Sequence, residues 1–157
     1  MSLQSVRNFL AEKAPDLAIL ETAASSATVA LAAAAHRVEP DSIAKTLCLR
    51  IGGEIALLVT SGEARLDNGK FKRRFGSKPR MLDAYEVLRA TSHPVGGVCP
   101  FGLPSPLAVY CDIRLQRHAE VVPAAGSGNA AIRIGPTRLA ELAGAVWVDV
   151  CQEVVAG

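Results

Sequence analysis

Two stretches of this sequence carry residues whose type and spacing suit chemistry. The first is Gly96-Gly97-Val98-Cys99-Pro100-Phe101-Gly102. Three glycines and a proline within seven residues make a rigid turn rather than a helix or central strand. Glycine lets backbone approach a ligand closely, and proline fixes φ and gives up its N–H. The N–H groups of such a turn can point at an anion or a carbonyl oxygen. The same residues also suit a plain tight turn between two strands. The second stretch is Ile43-Ala44-Lys45-Thr46-Leu47-Cys48-Leu49, in which Lys45 interrupts a strand that is otherwise apolar. Lysine is seldom buried without a partner. Lys45 is therefore either an edge-strand residue reaching back to water or a cation held at a pocket floor to meet a phosphate or a carbonyl.

Other candidates are less pointed. Cys99 with His93 as its base would make a nucleophilic pair, but nothing in the sequence orients it, and the thiol can equally fill space. No G-x-S-x-G elbow is present. The four cysteines, Cys48, Cys99, Cys111 and Cys151, form no C-x-x-C pair and stand at no zinc-finger spacing from a histidine. Cys48, Cys111 and Cys151 read as small buried hydrophobes in strands. The expectation is a reduced, cytoplasmic chain with no metal site and no cofactor. Ala125-Gly126-Ser127-Gly128-Asn129 is a second glycine turn, able to line a cleft or simply to join two strands.

Charge is uneven along the chain. The net charge is +2, yet Arg65, Lys70, Lys72, Arg73, Arg74, Lys78 and Arg80 face only Asp67 between positions 65 and 80. The remainder is therefore net acidic. A local basic patch fits a polyanionic partner, and it also fits a solvated helix face.

The elements that must position these residues follow from pattern and punctuation. At 157 residues, 50% hydrophobic and 20% charged, the chain reads as one domain over 1–157 with a real core. No apolar run approaches the ~20 residues that span a bilayer. Ser2 can cap a first helix with Val6, Phe9 and Leu10 inside, ended by Pro15-Asp16. Leu17–Leu20 is a short strand and Thr28–His36 an alanine-rich helix. Ile43–Ile51 and Glu54–Thr60 form a hairpin about Gly52-Gly53. Asp67 caps a helix over Asn68–Phe75, closed by Gly76. Lys78–Met81 is a short strand, and Asp83 with Glu86 makes a capping box for a helix to about Ala90. Leu107–Asp112, Glu120–Val122, Ala130–Ile134 and Ala145–Val150 read as strands, with a helix from Pro136 to the cap at Gly144. Helices and strands mix without strict alternation, which predicts an α+β fold with a mixed, mainly antiparallel sheet.

Taken together, Ile43-Ala44-Lys45-Thr46-Leu47, Leu66-Asp67-Asn68-Gly69-Lys70-Phe71 and the Gly96–Gly102 loop closely resemble the YbaK/ProX family. These are aminoacyl-tRNA deacylases related to the editing domain of bacterial prolyl-tRNA synthetases. The likeness runs over nearly the whole chain. It implies a barrel-like sheet with surrounding helices and metal-independent hydrolysis of mischarged tRNA-Pro. It places the family's lysine on Lys45 and its G-x-x-x-P loop on Gly96, Gly97, Val98, Cys99 and Pro100. It puts substrate contacts at Thr46, Phe101, Gly102, Ser127 and Asn129, and acceptor-stem phosphates on Lys70, Lys72, Arg73 and Arg74. The implied partners are the aminoacyl-tRNA acceptor end and prolyl-tRNA synthetase. Branches that remove alanine often carry Asn after the lysine and His near 127–129; here Thr46 and Ser127–Asn129 stand instead, so the likeness does not extend to alanine as the main substrate. A non-catalytic tRNA- or synthetase-binding module is the alternative.

Overall fold

The computed structural model describes residues 2–153. The expected domain limits, 1 and 157, lie outside the described residues. The chain opens with α1 (Ser2–Lys13), which buries Val6 and Leu10. A two-residue strand β1 (Leu20–Glu21) leads to α2 (Val29–His36). Thr28 caps α2 by accepting from Leu31 N–H, as its position before the alanine run implies. The hairpin of β2 (Ile43–Ile51) and β3 (Glu54–Ser61) turns through Gly52-Gly53, both at positive φ. Then come α3 (Asn68–Phe75), capped by Asp67 and closed by Gly76, and the short β4 (Arg80–Met81). The capping box of Asp83 and Glu86 opens α4 (Ala84–Thr91), and β5 (Ala108–Asp112) follows the glycine loop. The chain continues through β6 (Val122–Pro123) and β7 (Ala130–Ala131) to α5 (Pro136–Ala143) and β8 (Val146–Val148).

The strands form a six-stranded sheet and a two-stranded one. In the larger sheet the order is β4-β2-β3-β5-β8, with β6 also paired to β2; β1 pairs with β7. β2 is antiparallel to β3 and β4 and parallel to β6. From β3 outward the pairings to β5 and β8 are parallel. The predicted antiparallel character thus holds where β2 meets β3 and β4, and gives way to parallel pairing at β6 and beyond β3. The expected barrel is not formed: β4 and β8 end the strand order without meeting, so the sheet stays open. Closure needs strands long enough to keep a continuous staggered ladder, and β4, β6 and β7 have two residues each. The stretches expected as strands over 120–122 and 130–134 shrink because pairing there falls to isolated bridges, Val121 with Ile134 and Ala124 with Ala131.

Strand alternation divides the core between the two sheet faces. On one face Ala44, Cys48, Leu57, Val59, Val109 and Cys111 pack with Val6 and Leu10 of α1. On the other, Leu49, Leu58, Val148 and Val150 pack with Phe71, the buried residue of α3. The cysteines are free thiols buried among these side chains, as their spacing suggests.

Candidate active site

The strand that carries Lys45 is bare along part of its outer edge. β6 pairs with it at Ile43 and Ala44, and β4 pairs with it at Leu49 and Arg50. Over Lys45–Leu47 no described strand covers that edge. A cavity of ≈ 310 Å³ opens there. Its walls are the start of α2 (Ala27, Val29, Ala32), the β2 edge, Met81, Leu82 and Val87, and the loop residues Val95, Gly96 and Val98. The lining is mostly aliphatic, as a chain rich in alanine, valine and leucine provides.

Lys45 and Thr46 reach this cavity from opposite faces of one strand. Lys45 shares its face with Leu47 and Leu49, which pack toward α3. Thr46 shares its face with Ala44 and Cys48, which pack in the cluster that holds Cys99 and Phe101. Both residues line the cavity. The Lys45 ammonium donates to the carbonyls of Ala64 at 2.7 Å and Gly62 at 3.2 Å. An ammonium has three protons, so one remains. Burial lowers the Lys45 pKa from its ordinary value, and nearby Arg65 pushes the same way. The Thr46 hydroxyl is enclosed and has no hydrogen-bond partner. Leaving a buried hydroxyl unmatched costs about 1–3 kcal/mol; Thr46 lines the cavity, and a ligand there meets its hydroxyl when the side chain turns toward the opening.

The glycine loop has two halves with different duties. Gly96 and Val98 line the cavity. Gly97 sits behind them, where a Cβ would lie 2.6 Å from Ser127 N, and its carbonyl accepts from Gly126 N–H at 2.9 Å. Only glycine lets the two loops come this close. From Cys99 onward the loop belongs to the core. Cys99, Pro100 and Phe101 are buried, Phe101 stacks on Phe9 with centroids 5.6 Å apart, and Gly102 abuts Ser5 of α1. Cys99 Sγ lies 3.6 Å from His93 Nε2, yet burial pushes its thiol up to about 12. That leaves it protonated, and a protonated thiol walled into the core is no nucleophile.

His93 instead anchors the loop. Its Nδ1 lies 2.7 Å from Ser2 Oγ and its Nε2 2.7 Å from the Phe101 carbonyl. Ser2 Oγ also lies against the Gly126 carbonyl, so α1 meets both glycine loops. Ser127 Oγ donates to Asn129 Oδ1 at 2.9 Å, and Asn129 Nδ2 donates to the Thr22 carbonyl at 3.0 Å. These two side chains knit the second loop to the chain before α2, and neither stands on the cavity wall.

The basic segment separates as well. Lys70 Nζ donates to Glu153 at 2.9 Å, to Asp149 at 3.0 Å and to the Cys151 carbonyl at 3.0 Å, which engages all three of its protons. It fastens α3 to the C-terminal segment. Lys72, Arg73 and Arg74 are exposed on α3, with the Arg74 guanidinium 4.9 Å above the Phe75 ring. Sequence reasoning missed Val95, Met81 and Leu82, because two-residue strands and loop tips carry no periodic signal. It also missed the seat of Lys45 in the loop after β3, although a glycine directly after a strand was there to be noticed at Gly62.

Among the described residues no group of three or more His, Cys, Asp or Glu side chains is placed to hold a metal ion, and no helix is long and apolar enough to cross a membrane. The model of the aminoacyl-tRNA editing domain matches residues 23–142, a span that takes in Lys45, both glycine loops and α3. The uncharacterized protein YwhH of Bacillus subtilis (strain 168) is 44% identical over 155 residues, covering 98% of this chain and 99% of its own. The crystal structure of a "putative trans-editing enzyme for prolyl tRNA synthetase" matches with a TM-score of 0.89 at 33% identity, over 97% of this chain and 98% of that one. That of hypothetical protein APE2540 matches with a TM-score of 0.85 at 32% identity, over 94% and 99%. The lysine strand and glycine loop that meet at the cavity are thus set in a chain that belongs to the aminoacyl-tRNA editing family, of the YbaK/ProX type.

Proposed function

We propose that this protein is a trans-editing hydrolase that deacylates tRNA-Pro carrying a small non-cognate amino acid, and that it works on the acceptor end alongside prolyl-tRNA synthetase. The observation that carries the reading is the meeting of Lys45, Thr46, Gly96 and Val98 on one aliphatic cavity, within a chain of the editing family. The prolyl assignment draws on the relative described as an editing enzyme for that synthetase. A synthetase pocket separates side chains one methylene apart by only ~1–3 kcal/mol, so a second site that hydrolyses what fits it supplies the missing discrimination.

The substrate is an activated ester, and positioning with oxyanion stabilisation covers most of the need. In our reading the single-stranded 3′ end enters the cavity and the aminoacyl side chain lies against its aliphatic wall. Lys45 directs its remaining N–H at the terminal nucleotide or the aminoacyl group. The Gly97 N–H is already bonded to the Pro94 carbonyl, which leaves the N–H groups of Gly96 and Val98 to face the ester carbonyl. A water oxygen attacks the carbonyl carbon, aided by the substrate's own ribose hydroxyl. The bond to the ribose oxygen breaks, that oxygen takes the water's proton, and free amino acid and tRNA leave. No metal is needed for this step. Cys99 takes no part in it, so the thiol route drawn from the sequence is set aside.

The test is deacylation of tRNA-Pro charged with alanine, cysteine, serine, threonine or 2-aminobutyrate by the purified chain and by Lys45→Ala. We expect the wild type to release at least one of these, and Lys45→Ala to lose about 10²-fold or more with its thermal midpoint retained. A near-normal rate in the variant removes Lys45 from the site.

A further inference from the structure

Lys45 is held by a loop whose own place is set from elsewhere. Its two acceptors, the carbonyls of Gly62 and Ala64, lie directly after β3. That loop is fixed to the short 3-10 turn Pro40–Ser42. The Asp41 carbonyl accepts from Gly62 N–H at 3.3 Å, and Asp41 Oδ1 accepts from Glu63 N–H at 3.3 Å. The approach is close enough that a Cβ on Gly62 would lie 2.0 Å from the Pro40 carbonyl oxygen. The second carboxylate oxygen, Oδ2, lies 2.8 Å from His118 Nε2, which comes from the segment after β5. The hydrolysis described above uses neither Asp41 nor His118.

We propose that Asp41, braced by His118, is a positioning residue for Lys45, fixing the loop that seats the ammonium and placing a carboxylate against that loop. The proposal rests on the reading of Lys45 as part of the editing site. Among the described residues, Cys151, Arg65 and Asp41 are the groups whose charge acts on Lys45. The Cys151 thiol, pushed up to about 12 by burial, is neutral at physiological pH. Arg65 opposes the ammonium, which leaves Asp41 as the carboxylate that supports it against burial. Burial works against the Asp41 charge too, but the bonds from His118, Glu63 N–H and Ser61 outweigh it and hold the carboxyl below the usual range.

The experiment titrates Lys45 by NMR in protein carrying ¹³C at the lysine Cε, the signal assigned by its loss in Lys45→Arg. Asp41→Asn keeps the Oδ1 acceptor and removes the charge. We expect it to lower the Lys45 midpoint by about 0.5–1 unit, less than a direct contact gives because Asp41 acts across the loop, and to cut kcat/KM for charged tRNA about tenfold. His118→Ala moves both readouts the same way. His118→Gln, whose amide N–H still reaches Asp41, restores them toward wild type. Asp41→Ala also removes the Oδ1 acceptor of Glu63 N–H and should lower both readouts further than Asp41→Asn; should it fail to fold, Asp41→Asn tests the charge and His118→Ala the seat. An unchanged Lys45 midpoint with a rate within twofold of wild type in Asp41→Asn and His118→Ala overturns the proposal. If Lys45→Ala deacylates normally, the editing role of Lys45 falls, while the titration separately decides whether Asp41 governs the ammonium.

Discussion

Arg114 and Lys45 are both cations drawn into the protein, and they are held in opposite ways. Arg114, 3% exposed, reaches Asp112 at 3.2 Å, Asp149 at 2.8 Å, and also Glu153 and the Gln152 carbonyl. Lys70 adds a second cation to Asp149 and Glu153. Burial opposes the Arg114 charge, but bonds from Asp149 and Asp112 outweigh it and keep its pKa above the ordinary value. Among the described residues Lys45 bonds to two carbonyls and no carboxylate, and beside it the Thr46 hydroxyl has no partner. A network in which each cation is met by carboxylates leaves little for a ligand to complete; this one fastens the C-terminal segment to the sheet. An under-matched strand edge beside a cavity is completed by what binds there. Positive charge alone therefore does not mark a site, and Lys70 illustrates this within the basic segment itself.

Arg114→Ala leaves the fully buried Asp112 without its counter-charge, and we expect about 3–5 kcal/mol of lost stability in urea unfolding. A loss below about 1 kcal/mol would make the cluster incidental to the fold. The basic helix sharpens the contrast. Changing Lys72, Arg73 and Arg74 together to Ala should weaken tRNA binding and flatten the slope of log K against log salt by about 2–3. Adding Lys70→Ala should leave that slope where it is and lower the thermal midpoint instead. An unchanged slope in the triple variant takes α3 off the path of the tRNA. The smallest effect belongs to Thr46→Val. Removing an unmatched hydroxyl should leave stability equal or slightly raised, while deacylation slows about 3–10-fold. A wild-type rate in this variant means that the hydroxyl never meets the substrate.

Much of the fold could be read from local chemistry. The β2–β3 hairpin, the Asp67 cap, the Asp83–Glu86 box and the Pro136–Gly144 helix depend on residues close in sequence, and they stand where the pattern put them. The open sheet could not be read this way, because closure depends on whether β4 and β8 meet, and neither strand encodes that locally. Of the candidate site, the sequence marked Lys45 and the front of the glycine loop, which the fold brings to one cavity. The site was illegible where the role of a residue is set by what it packs against. Cys99, Pro100 and Phe101 share a motif with Gly96 yet fill the core, and Ser127 and Asn129 bond to each other and to the chain before α2. The ties from Asp41 to His118, Gly62 and Glu63 join segments with no shared periodicity.

Between β6 and β4 a run of β2 is left uncovered by any described strand. An extended segment with free backbone groups on one side is a template for another chain, and soluble folds usually blunt such rims with charge, proline or a covering element. Here the start of α2 and the Val95–Val98 segment stand in front of it. The residues that wall the cavity thus also shield the strand from a neighbour, and cutting them back to fit a bulkier ligand would trade fit and colloidal stability together.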